Sequence, residues 1–152
     1  MKLTQNFSLS ELTRSQTATR KGIDNTANDE QLANLVALCE NVLQPIRDHF
    51  GKPLRISSGL RVPELNTAIG GSSTSDHTRG MAADIECPGI DNKELAQWIV
   101  NSLVFRQVIL EFYSPPDGGW VHVSYNAADN KKQALTATKQ GGKTVYLPGL
   151  AT

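Results

Sequence analysis

Apolar residues fall at helical spacing over one long stretch of the chain. Leu32, Leu35, Val36, Cys39, Val42, Leu43 and Ile46 recur every three or four positions, the period of one buried helix face. Asn28 and Gln31 have capping-box spacing at its start. Pro45 is expected to bend or locally break this helix and Gly51 to end it. A shorter helix is expected earlier, where Ser8 and Glu11 repeat the capping-box spacing ahead of Leu12. Residues 13–28 are polar and read as turns. Pro63 can open a short helix reaching Ile69. Asp91 with Glu94 predicts the cap of another, carrying Leu95, Trp98, Ile99 and Leu103.

Elsewhere the period shortens. Residues 54–57, 82–86, 107–113 and 120–125 read as strands, the last two joined by a tight loop of Pro115, Pro116, Asp117, Gly118 and Gly119. Residues 70–80 form a loop rich in Gly, Ser and Thr, and a final pair of strands is expected around Gly141 and Gly142. Helices early and strands late predict an α+β fold: one small domain over 1–152, an antiparallel sheet with helices packed on one side.

Composition narrows the functional classes. In 152 residues, 15 Lys plus Arg balance 15 Asp plus Glu, so no basic footprint marks a nucleic acid or an anionic membrane as partner. No apolar run approaches the roughly 20 residues of a membrane span. The first residues, Met-Lys-Leu-Thr-Gln-Asn-Phe-Ser, lack the apolar core of a signal peptide. The expectation is a soluble chain made in the cytoplasm, released by another agent if it acts outside. Cys39 and Cys87 are far apart and form no Cys-x-x-Cys pair, which argues for two structural thiols.

The candidate chemistry lies with the histidines. Of three, His49 sits near a helix end, where a charge at the terminus is the commoner role. His77 stands in Ser75-Asp76-His77-Thr78-Arg79-Gly80-Met81-Ala82-Ala83-Asp84, and His122 in Trp120-Val121-His122-Val123-Ser124. Two imidazoles and one carboxylate are a ligand set that zinc accepts while leaving a position for water. Gly80 allows the turn that lets His77 and Asp84 meet. Spacing alone also permits a surface histidine and an aspartate at a strand end.

The string Ser-x-His-x-x-Gly-x-Ala-x-Asp, filled by Ser75, His77, Gly80, Ala82 and Asp84, resembles the signature of D-Ala-D-Ala carboxypeptidase-type zinc peptidases, the group shared with lysostaphin and the sonic hedgehog signalling domain. Trp120 to Ser124 resembles their second histidine strand. Ser57-Ser58-Gly59-Leu60-Arg61 resembles their Ser-Gly-Tyr-Arg segment, with Leu60 in place of Tyr. With Phe7 to Leu12 the likeness reaches from the start to about Tyr125, and it is greatest to single-domain members from bacteriophages and prophages. The resemblance implies one zinc ion on His77, Asp84 and His122, and Arg61 steadying the substrate carbonyl and its oxyanion. It implies a monomeric, endolysin-like hydrolase of a peptide bond in peptidoglycan, cutting as a carboxypeptidase or an endopeptidase, acting on the wall after release or carried in a phage particle.

One departure concerns the general base. Many members of the family place an acid three positions before the second histidine, and that position is Gly119 here. Glu111 and Asp117 are the acids nearby. A hairpin turning symmetrically about the Pro116–Asp117 bond would set Tyr113 opposite Trp120 and Glu111 opposite His122, on the same face as the metal. Glu111 is then the expected base, or a residue orienting His122; Asp117 before Gly is ordinary turn chemistry. Ser75 and Ser124 are candidates for supporting hydrogen bonds. Three other readings stay open: a zinc-binding module without catalysis, a phage tail component, and a non-haem iron oxygenase. The last usually places His and Asp two residues apart, against seven here, and needs a jelly roll.

Overall fold

Two capping boxes start helices where the sequence places them. The computed structural model describes residues 1–116 and 118–150. A small hairpin of β1 (Lys2–Thr4) and β2 (Phe7–Ser8) leads into α1 (Leu9–Thr13), where the Ser8 hydroxyl accepts from the Glu11 N–H and the Glu11 carboxylate accepts from the Ser8 N–H. Residues 13–28, read as turns, contain a further helix, α2 (Gln16–Lys21), capped by Ser15. Only Ala18 of it is buried, too little for a hydrophobic period to reveal.

The Asn28–Gln31 box opens α3 (Asp29–Leu38). The expected disturbance at Pro45 takes a specific form. A π-helical turn (Cys39–Leu43) separates α3 from α4 (Gln44–Phe50), and the Gln44 N–H reaches back to the Cys39 carbonyl. Pro45 has no N–H to give the preceding turn, so the helix widens by one residue just before it. The α4 helix ends at Gly51. Near that end His49 stacks on Trp98 with ring centroids 4.2 Å apart, away from the other two histidines.

The chain then forms β3 (Arg55–Ser58), α5 (Pro63–Ala68), a 3-10 turn (Asp76–Arg79), β4 (Ala82–Glu86) and α6 (Asn92–Ser102). Asp91 occupies the cap position of α6 without capping it through its side chain. Its carboxylate instead accepts the Tyr113 hydroxyl at 2.7 and 2.8 Å. Strands β5 (Gln107–Ser114), β6 (Gly118–Ser124), β7 (Gln133–Gln140) and β8 (Lys143–Pro148) follow.

The main sheet has six strands in the order β3-β4-β6-β5-β7-β8. It is mixed, which corrects the wholly antiparallel expectation: β5 and β7 run parallel. The reason is edge availability. β4 already occupies the outer edge of β6, so the strand after β6 must return beside β5, and in that place it runs the same way. The described strands form this single mixed sheet and one small hairpin, not the paired sheets that the iron reading needs.

Alternation along the strands sorts the residues. Ala83, Ile85, Val108, Leu110, Val121 and Val123 are closed to solvent and join Leu35, Leu38, Val42, Ile46, Leu95 and Ile99 from the helices in one core cluster. Cys39 and Cys87 lie in the same cluster as free thiols. Among the described residues no helix is long and apolar enough to cross a membrane.

Candidate metal centre

Adjacent strands present two of the three proposed ligands side by side. Asp84 on β4 pairs directly with His122 on β6, and paired residues stand on the same face of a sheet. His77 comes from the 3-10 turn, whose end at Gly80 adopts φ +75°. A side chain at Gly80 would also lie 2.7 Å from the Gln31 carbonyl oxygen. Glycine therefore allows both the left-handed turn and the close approach of α3.

His77 is held at both ends. Its ring Nδ1 lies 2.7 Å from the Gly59 carbonyl oxygen, and its own carbonyl accepts the Arg61 N–H at 2.9 Å. A carbonyl can only accept, so Nδ1 carries the proton and Nε2 keeps its lone pair. That lone pair faces Asp84 Oδ1 at 3.3 Å, and His122 Nδ1 lies 3.2 Å from the same oxygen. The three ligand atoms are all within 4.8 Å of one another.

Those distances fit a metal. Four ligands at zinc bond lengths of about 2.1 Å in a tetrahedron stand roughly 3.4 Å apart. A neutral His77 opposite a carboxylate sets acceptor against acceptor, an arrangement that a cation relieves. Burial pushes the His77 pKa down, outweighing the Asp84 charge that raises it, and His77 is only 1% exposed. Burial alone would raise Asp84, yet the histidines around it hold its carboxyl well below the ordinary range. Neutral imidazole and ionised carboxylate are the forms that ligate.

Supporting contacts hold the turn in place. The Ser75 hydroxyl accepts the His77 N–H at 3.2 Å. Asp76, buried beside His77, accepts from Arg79 at 2.6 Å and from Arg106 at 3.0 Å. The Ser124 hydroxyl, in contrast, is buried with no hydrogen-bond partner among the described residues, so the supporting role expected of it is absent.

The hairpin register differs from the symmetric expectation. Glu111 pairs with Trp120, and Ile109 pairs with His122. The shift is two residues, from two sources. The turn closes early, with Ser114 opposite Gly118, and a bulge between Glu111 and Ser114 absorbs one more residue. Phe112 in the bulge has φ +52° and Gly119 has φ +83°. A side chain at Gly119 would stand 2.1 Å from the Glu111 carbonyl oxygen, so this hairpin excludes any acid at that position.

An even shift preserves the face. Glu111 thus still lines the cleft, a space of about 740 Å³ that also contains Arg61, His77, Asp84 and His122. The Trp120 indole N–H donates to the Glu111 carboxylate at 2.8 Å. Sequence reasoning missed this contact, although Trp120 stands two residues before His122 and therefore shares its face. Burial raises the Glu111 pKa, and the Asp84 charge adds to it; His122, the Trp120 N–H and Arg61 pull the other way. Asp117 lies outside the described residues.

Arg61 is no surface ion pair. Its Nε is buried without a hydrogen-bond partner, and no ion pair holds it among the described residues. Burial lowers its pKa while Asp84 and Glu111 raise it; guanidinium stays charged regardless. The cleft thus brings together His77, Asp84, His122, Arg61 and Glu111.

Among curated proteins nothing matches the chain. A family model does: peptidase M15, a family of zinc-dependent peptidases, over residues 5–124. The match spans His77, His122, Asp84, Arg61 and Glu111, and the chain belongs to the peptidase M15 family.

Proposed function

We propose that the chain is a zinc-dependent peptidase that hydrolyses a peptide bond in the stem or cross-link peptides of peptidoglycan, with one zinc ion held by His77, Asp84 and His122. The observation that carries this reading is the convergence of His77 Nε2, Asp84 Oδ1 and His122 Nδ1, with Nδ1 of His77 committed to the Gly59 carbonyl. When bound, zinc supplies a Lewis acid that polarises a carbonyl and makes water a nucleophile near neutral pH.

The chain's own groups do the rest. Glu111 accepts the proton of the attacking water and returns it to the leaving amine. Its hydrogen bond from Trp120 fixes the carboxylate's orientation. Arg61, lining the same cleft without an ion-pair partner among the described residues, faces the charge that develops on the scissile carbonyl oxygen. The ion pairs of buried Asp76 with Arg79 and Arg106 keep the turn carrying His77 rigid, which preserves the alignment on which rate depends.

Purified peptidoglycan tests the reading through release of new amino groups. The zinc-loaded protein should release them, chelation should stop it, and one equivalent of zinc should restore it. Glu111→Gln should lower the rate about 10²- to 10⁴-fold with zinc content unchanged. The products distinguish carboxypeptidase from endopeptidase cutting: free D-Ala in the first case, shortened stems or opened cross-links in the second. The glycine at 119 favours one rival, a zinc-binding module without catalysis. Stoichiometric zinc with no amino-group release would establish it.

A further inference from the structure

The family match ends at residue 124, but the cleft does not. Beyond it the chain adds β7 and β8 to the sheet, and the pairing sets them in line with the site. Glu111 pairs with Ala137, and Ala137 with Tyr146. Trp120, Glu111, Ala137 and Tyr146 therefore form one row across four strands, on the face that carries His122. In the neighbouring row, Ile109 beside His122 pairs with Leu135.

Tyr146 stands two strands from Glu111, about 10 Å from backbone to backbone. The residue between them is the smallest that still has a side chain. Ala137 is 1% exposed, so larger neighbours cover it. A phenol reaches across a methyl group but not across a bulky residue, and the Glu111 charge, after burial, raises the Tyr146 pKa. Tyr146 and Leu135 line the same cleft as the metal ligands.

An exposed aromatic on an edge strand is ordinary by itself. Tyr146 differs in its place and in its unused capacity. It is 53% exposed, it is absent from the core cluster, and its hydroxyl makes no hydrogen bond among the described residues. The cleft is consequently lined by unlike groups: charged ones at His77, Asp84, His122, Arg61 and Glu111, and an apolar stretch of Ile109, Leu135 and Tyr146 that begins beside His122, with Gln107 and Gln133 beyond it. A peptide with its scissile carbonyl among the charged groups can lay a neighbouring residue against the apolar stretch.

We infer that the C-terminal hairpin is a substrate-binding subsite, and that Tyr146 is its specificity-determining residue, taking the aliphatic side chain of a residue next to the scissile bond. This rests on the peptidase reading above. The ring supplies apolar contact, and the hydroxyl is free to bond the peptide backbone.

The test uses the full zinc-loaded chain with stem peptides, monomeric and cross-linked, prepared from purified peptidoglycan. Both kinetics and equilibrium binding by calorimetry are measured. Tyr146→Ala should raise KM and weaken binding about 10-fold, with kcat within about twofold and zinc content unchanged. Tyr146→Phe keeps the ring and should lose about twofold. Tyr146→Gln keeps length without the ring and decides the matter if the alanine variant does not fold. Wild-type KM and affinity in a folded variant lacking the ring would overturn the inference while leaving the peptidase reading intact. A wild type that binds peptide without cutting it would overturn the peptidase reading alone, and the affinity of Tyr146→Ala would still decide this one. A wild type that neither binds nor cuts would overturn both.

Discussion

On one face of β4, β5 and β6, Ala83, Ile85, Val108, Leu110, Val121 and Val123 are sealed against the helices; on the other, Asp84, Glu111, Trp120 and His122 surround a cleft. The two faces share one backbone and one hydrogen-bond ladder, and differ only in whether a residue number is odd or even along each strand. The dry face stabilises, since each fully buried Val or Leu contributes about 1.5–3 kcal/mol. The cleft face does the opposite. It holds ionisable groups largely out of water, a cost that a good ligand set and a metal offset. The dry face thus supplies the rigidity that keeps the costly one in shape.

The sharpest way to break that comparison is to cut a ligand. His77→Ala and His122→Ala should bring peptidoglycan cleavage to background, a loss above about 10⁴-fold. Bound zinc should fall from one equivalent to near none by elemental analysis, while both metal-free variants still fold, His77→Ala losing about 1–3 kcal/mol with its contact to the Gly59 carbonyl. A collapse of the fold instead would show that the cleft face is also structural.

The reverse experiment strikes the dry face. Leu110→Ala lies one residue from Glu111 and should cost about 2–5 kcal/mol in denaturant unfolding. Zinc stoichiometry and kcat of the folded fraction should stay near wild type. A selective loss of activity without loss of stability would erase the distinction between the faces.

Gly119→Ala probes where the faces meet, in the bulged hairpin. The new methyl would need to displace the Glu111 and Phe112 carbonyls and to accept a left-handed backbone. The expected loss is about 1–3 kcal/mol, with a fall in kcat as Glu111 shifts. Unchanged stability and activity would mean that the bulge does not position Glu111.

The smallest effect concerns a thiol in the core. Burial, with Glu11 and Glu40 nearby, pushes Cys39 from an ordinary 9.0 up to about 12. The folded state thus holds the proton that the unfolded state releases first. The stability this provides is full below pH about 9 and is lost as pH rises toward about 12. Thiol labelling of the native protein should accordingly spare Cys39 at pH 10. Rapid labelling there, without unfolding, would contradict the picture of a closed core.

Much of the candidate site is legible in the sequence alone. His77, Asp84, His122 and Arg61 stand in motifs whose order survives intact, and Gly80 turns where expected. The two capping boxes were readable because a cap and its partner lie three residues apart. The α2 helix was not, having one buried residue. Nor was the role of Asp91, because its partner Tyr113 is 22 residues away.

Glu111 shows where the boundary runs. Its face was determined by the sequence alone, because alternation along a strand is local and any even register keeps it. Its partner was not: a shortened turn and a bulge moved β5 two residues along β6. In the same way, Asn28 and Gln31 suffice to start a helix, but nothing in residues 133–148 announces that they will close the end of a cleft built by residues 59–122. That depended on β4 having already taken the far edge of β6, leaving only the side beside β5 for β7. Caps, periods and faces are set by neighbours a few residues apart. Which edge is free, and which tyrosine therefore comes to line the same cleft as a glutamate two strands away, is settled only when distant strands compete for the same hydrogen bonds.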